Sequence, residues 1–479
     1  MHIFGDKFFT FCLLLLSATC SAQYYALKKK ADTTLLSQRI PEMLDSAQIT
    51  GLSLAIVHQG KLYWHKGFGL ANQNSKKPIH DSTVFEAASL SKPLFAYIVL
   101  QLVEQKVLDL DKPLVQYVGD AYIEKVFLGH KITDPRFRRI TARMCLSHAT
   151  GFPNGRYGSL KIAFNPGSDL SYSGEGFTFL QRVVEQLTGK NLQDLAQELV
   201  FLPLDMRHSS YVWQEQLLPQ TADGHGSQGA VGGFRRHAQP MGAYSLIATA
   251  EDLGKFLAAL LNQEGLHPQT FKEMWKVQST AKAGMLKGMS WGLGLGVFQS
   301  KAGKAFWHWG DFGTFKAYLV GFPEQKTGLV FLSNSANGLN VGLALSHLAI
   351  GGEHLPFYTL PYTQYDTPEN QLWRVAMREG LLPMVDLLNV YKLRKDPRLG
   401  QQTLNQVGHL LLKNGKAALA FECFKMNVLV YPQWFAAYDS LGEAYLALGN
   451  QLGAKQCWSR SLELNPKNWE ARRRLRSLE

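Results

Sequence analysis

A chain of 479 residues exceeds what one ordinary hydrophobic core holds, so two or more domains are expected. With 46% hydrophobic and 18% charged residues, the composition is that of a soluble globular protein. The formal net charge of +12 is spread thinly over residues 28–30, 136–143, 392–398 and 472–476. No zinc finger, RNP-like stretch or basic recognition helix accompanies it, which excludes a nucleic-acid groove and leaves solubility or contact with an anionic surface.

Residues 1–22 read as an export signal. A short polar start with His2 and Lys7 precedes an apolar run over 8–16, and Cys20-Ser21-Ala22 offers small residues before a cut ahead of Gln23. The run is too short for a membrane span, and no later stretch is long and apolar enough for one. Ser17-Ala18-Thr19 is a poor lead-in for a lipidated Cys20, so the lipoprotein reading is set aside. Cleavage leaves Cys145, Cys423 and Cys457, an odd and sparse set that is not a disulfide framework. Cys145, amid apolar neighbours, reads as inert core.

Residues 33–44 have a helical apolar rhythm weakened by Pro41. Residues 51–71 then alternate through Leu52, Leu54, Ile56 and Leu62, Trp64, Phe68 about Gln59-Gly60, the pattern of a β-hairpin. Residues 86–104 begin a buried helix, with Phe95, Ile98, Val99 and Leu102 at helical spacing. Within it Ser89 and Lys92 are three apart, so both side chains fall on one face of the first turn. Burying an ammonium is costly, and a lysine there either has a lowered pKa, which lets it take a proton from Ser89, or snorkels from the helix end.

Thr141 caps a helix ending near Ser147. His148, at the break after it, reads as a turn-stabilising hydrogen-bonding group. Tyr172 lies in a short polar stretch leading into a helix over 177–187, and a second helix follows over 192–201. A tyrosine on a loop held by rigid elements is a place for chemistry, or simply a satisfied, partly buried phenol. Residues 222–236 are glycine-rich and aperiodic, which predicts a long loop. His225 and His237 have no ligand partners at metal spacing, so no metal is expected. Thr249-Ala-Glu-Asp252 caps a helix over 253–261.

Gly288-Met-Ser290-Trp-Gly292 matches a nucleophile-elbow pattern, but a strand-like segment over 293–298 follows where that motif needs a helix, so Ser290 is rejected as nucleophile. Strands are predicted over 304–309, 315–321 and 327–333, and a helix over 341–350. Three consecutive antiparallel strands would complete the sheet begun at Gly51. Residues 355–364 read as a proline-bearing linker and 372–391 as helical. Aligning Pro432 with Pro466 then reveals a 34-residue period. Gly408 pairs with Gly442, Ala420 with Ala454 and Phe424 with Trp458. This resembles the tetratricopeptide pattern, in which small residues let helices cross closely beside large ones.

Ser89-Leu-Ser-Lys92, Tyr172-Ser-Gly174 and His308-Trp309-Gly310, in this order, resemble the three motifs of the serine β-lactamase and penicillin-binding-protein superfamily, nearest its class C-like branch. The resemblance covers residues 44–350 and includes Leu146-Ser-His-Ala-Thr-Gly-Phe-Pro153 and Pro203-Leu-Asp-Met206. It implies Ser89 as nucleophile, Lys92 as assisting amine, Tyr172 as partner in proton transfer and His308 in place of a strand-borne lysine. It further implies the backbone N–H groups of Ser89 and Asp311 as the oxyanion hole, and substrate contacts at Gly174, Trp309 and Gly310. Whether Lys92 or Tyr172 is the base stays open. Gly174 stands where asparagine is common, His308 is expected to be near neutral, and Asp311 adds negative charge. These departures weaken the case for lactam hydrolysis.

The expected architecture is α/β (α+β): an antiparallel sheet flanked by helices plus a helical lobe, then an all-α repeat region. Residues 23–355 form the hydrolase domain, 356–400 a linker and helical lead-in, and 401–479 the repeats. The expected activity is acyl-enzyme hydrolysis of a small amide, peptide or ester by a periplasmic or secreted enzyme without a cofactor. A class C-like β-lactamase is one alternative. A catalytically weak protein acting through its repeats is the other, and those repeats are read as a brace, a homo-oligomer contact or a groove for a protein partner.

Overall fold

The computed structural model describes residues 27, 30–156, 158–362 and 364–478. The export signal expected over 1–22 lies outside them. Among the described residues no helix is long and apolar enough to cross a membrane. The chain divides into two compact units, Met1–Thr363 and Gln364–Glu479.

The first unit is built on antiparallel strands whose order brings the two ends of the unit together. β1 (Gly51–His58) and β2 (Lys61–Asn72) form the expected hairpin, and β3 (Lys77–Pro78) and β4 (Phe85–Ala88) follow. Its turn places both Gln59 and Gly60 at positive φ, as a two-residue hairpin loop requires. β5 (Gly224–His225) and β6 (Val231–Gly233) are short strands in the segment expected to be loop throughout, and they pair with each other. β7 (Leu246–Ala248), β8 (Ser279–Thr280), β9 (Ser290–Trp291) and β10 (Gly296–Ser300) precede the three long strands β11 (Gly303–Asp311), β12 (Lys316–Phe322) and β13 (Thr327–Ser333). The main sheet runs β3-β2-β1-β13-β12-β11-β10-β9-β8. Pairing of β1 with β13, Leu52 opposite Ser333, closes the sheet begun at Gly51.

Helices cover that sheet because their apolar faces match it. The Ala250–Asn262 helix, capped by Thr249 accepting from the Asp252 N–H, packs on β1, β2 and β13. The Ser91–Glu104 helix is buried almost all round, with Leu94, Phe95, Ile98 and Val99 fully inaccessible. A helix hydrophobic on all faces belongs in the middle of a lobe. It lies there with the Gly174–Thr188 helix, in one core that includes Phe152, Phe177 and Phe179.

β4 pairs with β7 in a separate two-stranded ladder, Phe85 opposite Ala248. That ladder positions the site, because β4 leads into Ser89 and β7 follows Ala243. Residues 355–362, expected as a linker, instead fold back within this unit. Pro356 and Phe357 are buried, and the Phe357 ring lies 4.5 Å from that of Tyr318 on β12.

The second unit is all helix. The single helical run expected over 372–391 is two helices, Pro368–Glu379 and Leu381–Leu393, because Gly380 adopts φ 93°, ψ −167°, which ends the first. Helices Gln401–Lys413, Ala417–Val430, Phe435–Ala447, Gln451–Leu464 and Trp469–Arg476 follow. Small residues admit large ones at equivalent places: a Cβ on Gly408 would come 2.3 Å from the Phe424 ring, and one on Gly442 would come 2.5 Å from Trp458. Cys423 and Cys457 are buried free thiols in this unit, and burial pushes them up to about 12 and about 11. Cys145 is likewise buried and free, its thiol raised by desolvation alone, which matches inert core.

Candidate active site

Ser89 stands in the turn between β4 and the buried helix rather than inside the helix proper, which begins at Ser91. The Lys92 N–H donates to the Ser89 carbonyl at 3.0 Å, so the turn is already wound to helical pitch. Ala88, immediately before the serine, is held at φ 49°. An alanine there is strained by roughly 1–2 kcal/mol, a strain that the surrounding ladder sustains. Ser91 supplies much of that support: its hydroxyl donates to the Ala88 carbonyl at 2.6 Å and accepts from the Leu246 N–H at 2.9 Å.

Lys92 Nζ lies 3.1 Å from Ser89 Oγ and donates to the Ala243 carbonyl at 2.7 Å. Full burial lowers the amine to about 7. The alternative of a snorkelling lysine is excluded, since Lys92 is only 2% exposed. Its nitrogen also sits 4.8 Å from the Tyr172 ring centroid.

Tyr172 comes from the loop before the Gly174–Thr188 helix, whose N-cap Ser173 accepts from the Gly176 N–H. Burial pushes the phenol upward, and the neighbouring Ser89 hydroxyl acts in the opposite direction. The Tyr172 hydroxyl is buried and lies outside the geometry of a formed hydrogen bond with any described group. A protonated phenol beside the Ser89 hydroxyl is chemically able to give up a proton.

His308, on β11 opposite Leu319, is fully buried. Its Nδ1 donates to the Trp309 carbonyl at 2.7 Å, which leaves Nε2 as an unpartnered acceptor. Desolvation first, and the charge of Lys92 second, hold its pKa well below the usual value. The expected neutral imidazole is therefore what burial produces. The ladder between β10 and β11 ends at Gly296 opposite Trp307, so the part of β11 that carries His308 and Asp311 lies beyond β10.

The three expected substrate contacts differ in placement. The Trp309 ring is 4.7 Å from that of Tyr172. Gly310 is packed against β4: a Cβ there would lie 2.7 Å from the Ala87 carbonyl. Gly174 is buried beneath Asn154, donating its N–H to Asn154 Oδ1 at 3.1 Å, and a Cβ would come 2.4 Å from the Asn154 backbone oxygen. The asparagine common at that position has no room here.

Ser290, rejected from sequence, lies on a two-residue strand, and its hydroxyl is 2.9 Å from that of Thr280. No helix follows it directly. Sequence reasoning underrated His148. It does hold a turn, accepting the Ser173 N–H on Nδ1 at 3.0 Å and the Ser171 N–H on its carbonyl. Its ring also lies 4.3 Å from Tyr172 and 5.1 Å from Trp291, so it forms part of the wall behind the phenol. The usable signal was its place at a helix break inside a motif-bearing stretch. Tyr362, whose hydroxyl donates to Asp311 Oδ2 at 2.7 Å, gave no local signal.

Comparison with known proteins agrees with this geometry. Residues 36–349 match the family described as beta-lactamase. The chain belongs to that family. It is 23% identical over 320 residues to esterase EstB of Burkholderia gladioli, covering 55% of this chain and 80% of that protein. The octameric penicillin-binding protein homologue of Pyrococcus abyssi superposes with a TM-score of 0.58 at 21% identity, over 72% of this chain and 81% of its own. A class C β-lactamase superposes with a TM-score of 0.54 at 18% identity, over 64% and 92%. The chain has the β-lactamase-like fold followed by an all-helical region, and it is a serine hydrolase of that superfamily.

Proposed function

We propose that this enzyme cleaves a small ester, amide or peptide through an acyl-enzyme on Ser89. The observation that carries the reading is the buried Lys92 amine 3.1 Å from the Ser89 hydroxyl with its pKa lowered to about 7, so that much of it is uncharged at neutral pH. Ser89 Oγ bonds to the carbonyl carbon as its proton passes to Lys92 Nζ. The carbonyl electron pair moves onto oxygen, where the N–H groups of Ser89 and Asp311 receive it. The bond to the leaving atom then breaks while Tyr172 donates its phenolic proton, and the Lys92 ammonium returns one to Tyr172. Water repeats the sequence: its proton goes to Lys92, its oxygen bonds to the acyl carbon, and Ser89 leaves with a proton.

In this assignment Lys92 is the base and Tyr172 the acid, because burial keeps the amine neutral and the phenol protonated. His308 is a neutral acceptor facing the same space. The enzyme is exported to the periplasm or the exterior after cleavage at residue 22, and the C-terminal helices form tetratricopeptide-like repeats that brace the protein or bind a partner.

A fluorophosphonate probe should label the wild type and fail to label Ser89→Ala. A panel of p-nitrophenyl esters, D-amino-acid amides, D-Ala-D-Ala peptides and nitrocefin then sorts the substrate. Labelling that survives Ser89→Ala, or an acyl adduct trapped on another side chain, would overturn the assignment.

A further inference from the structure

Arg235, in the loop between β6 and β7, bonds to two other segments at once. Its backbone N–H donates to Glu86 Oε1 at 2.7 Å, and its Nη1 donates to Glu86 Oε2 at 3.0 Å. Its Nη2 donates to the Phe312 carbonyl at 3.0 Å, and the guanidinium carbon stands 4.3 Å from the centre of the Phe312 ring. Glu86 is on β4, 2% exposed, three residues before Ser89. Phe312 directly follows Asp311, the last residue of β11. Compensating a buried carboxylate accounts for the bonds to Glu86. It does not account for the bond to Phe312.

The two strands so joined carry the backbone donors assigned to the oxyanion. The Phe312 N–H donates to the Phe315 carbonyl at 2.9 Å, which makes 312 and 315 a hydrogen-bonded pair continuing the β11–β12 ladder. In an antiparallel ladder such pairs alternate with pairs whose backbone groups point outward. The Asp311 N–H, opposite Lys316, therefore points away from β12, and β10 does not reach it, since its pairing with β11 ends at Trp307. β4 and β11 touch at Ala87 and Gly310. A packing contact limits how near two strands come, whereas only a bonded tie limits how far they part or slide. The tie also runs toward the amine: the Phe312 ring is 5.7 Å from that of Tyr244, and the carbonyl of the preceding Ala243 accepts from Lys92 Nζ at 2.7 Å.

Granted the acyl-enzyme reading and its two donors, we propose that Arg235 is a positioning residue for the oxyanion hole. By bonding to Glu86 and Phe312 together it holds the Ser89 and Asp311 N–H groups at the spacing a tetrahedral intermediate requires. Donors displaced by about 1 Å weaken the transition state and leave ground-state contacts largely intact. In the full chain, Arg235→Met keeps the aliphatic stem and should lower kcat on a p-nitrophenyl ester about 10- to 100-fold, with KM within about 2-fold. Phenylboronic acid gives a second readout: its boron bonds to Ser89 Oγ as the hydroxyl proton passes to Lys92, leaving a tetrahedral anion. Its affinity should fall by a similar factor, and a Kd does not depend on how much of the enzyme is active. Arg235→Lys can pair with Glu86 but has no second arm for Phe312, so it should recover Tm more fully than kcat. Should Arg235→Met fail to fold with Glu86 unpaired, the double variant Glu86→Gln, Arg235→Met removes the charge along with the tie, and the same two losses are expected. Unchanged kcat in the folded Met variant, or a fall in kcat with boronate affinity intact, would overturn the proposal. A lysine variant that restores kcat along with Tm would overturn it too, since charge compensation would then be all that Arg235 does. A wild type that a fluorophosphonate does not label at Ser89, and that neither hydrolyses the ester nor binds the boronic acid, would instead remove the acyl-enzyme reading, and this inference with it.

Discussion

The backbone N–H of Ser173 is donated to Nδ1 of His148 at 3.0 Å, and together with the Ser171 N–H on the His148 carbonyl this bond ties the loop that carries Tyr172 to the imidazole whose ring lies 4.3 Å from the phenol ring. Because Nδ1 accepts, the ring proton sits on Nε2, which is buried among the aromatic rings without a partner. Burial first, and after it the cost of a further positive charge beside Lys92 and His308, keep the ring neutral. It can therefore hold the loop unchanged across the working pH range.

Replacing His148 by Ala should lower kcat about 10- to 100-fold with little change in KM, since the phenol loses its backing while substrate contacts stay. His148→Asn retains an acceptor for the Ser173 N–H and should recover part of the loss. Steady-state kinetics on a p-nitrophenyl ester checks both. Equal kcat in all three proteins would show that the loop needs no such support.

The rate of Ser89 acylation should rise with pH through about 7, as Lys92 loses its proton, and level off above. Labelling rates measured between pH 5 and 9 give the profile. In Lys92→Met the step should vanish and the rate should fall by about 10²–10⁴-fold. A flat wild-type profile would mean that the amine is not the base.

The same titration predicts a stability slope. Folded Lys92 titrates near 7 and an unfolded lysine near 10.4, so between those values the unfolded chain binds the extra proton. Stability therefore rises with pH across this window, by at most about 1.4 kcal/mol per unit from this residue. Below about 7 the penalty is fully present, and above about 10.4 it is gone. Urea midpoints at pH 7.5 and 9.5 should separate further in the wild type than in Lys92→Met.

Gly310→Ala should displace β11 from β4, because the new methyl carbon would lie 2.7 Å from the Ala87 carbonyl and 3.1 Å from Ala88 Cβ. Backbone cannot yield as a side-chain tip does. A loss of about 100-fold in kcat/KM is expected from displacing the proposed oxyanion donor, the Asp311 N–H, with a lowered Tm. A variant with wild-type turnover would show that the strand end has slack.

Gly442→Ala places a carbon 2.5 Å from the Trp458 indole, which is 1% exposed. Overpacking of this kind costs about 1–3 kcal/mol. Hydrogen exchange over 435–464 in the full-length variant should quicken accordingly, and unchanged protection would mean that the helices close without this contact.

What the sequence made legible was local or motif-borne. The 51–71 hairpin showed itself by alternation about Gln59-Gly60, and Ser89 with Lys92 by spacing on a buried helix. The strands at 303–333 were visible because fully buried strands read as apolar runs. What stayed hidden depends on chain segments meeting from afar. The β4–β7 ladder pairs Phe85 with Ala248, neither of which signals the other. The Tyr362 bond to Asp311 comes from a stretch that composition marks only as linker. Gly380 breaks an otherwise continuous helical pattern because its backbone freedom is used, which a single sequence does not reveal.

Ala88 keeps its left-handed conformation although glycine would hold it at less cost. Glycine would also let the elbow bend, and the serine that follows would then sample orientations its neighbours cannot use. Thermal robustness and turnover thus pull this position in opposite directions: a search for hardier variants should favour Gly at 88, while a search for faster ones should return Ala.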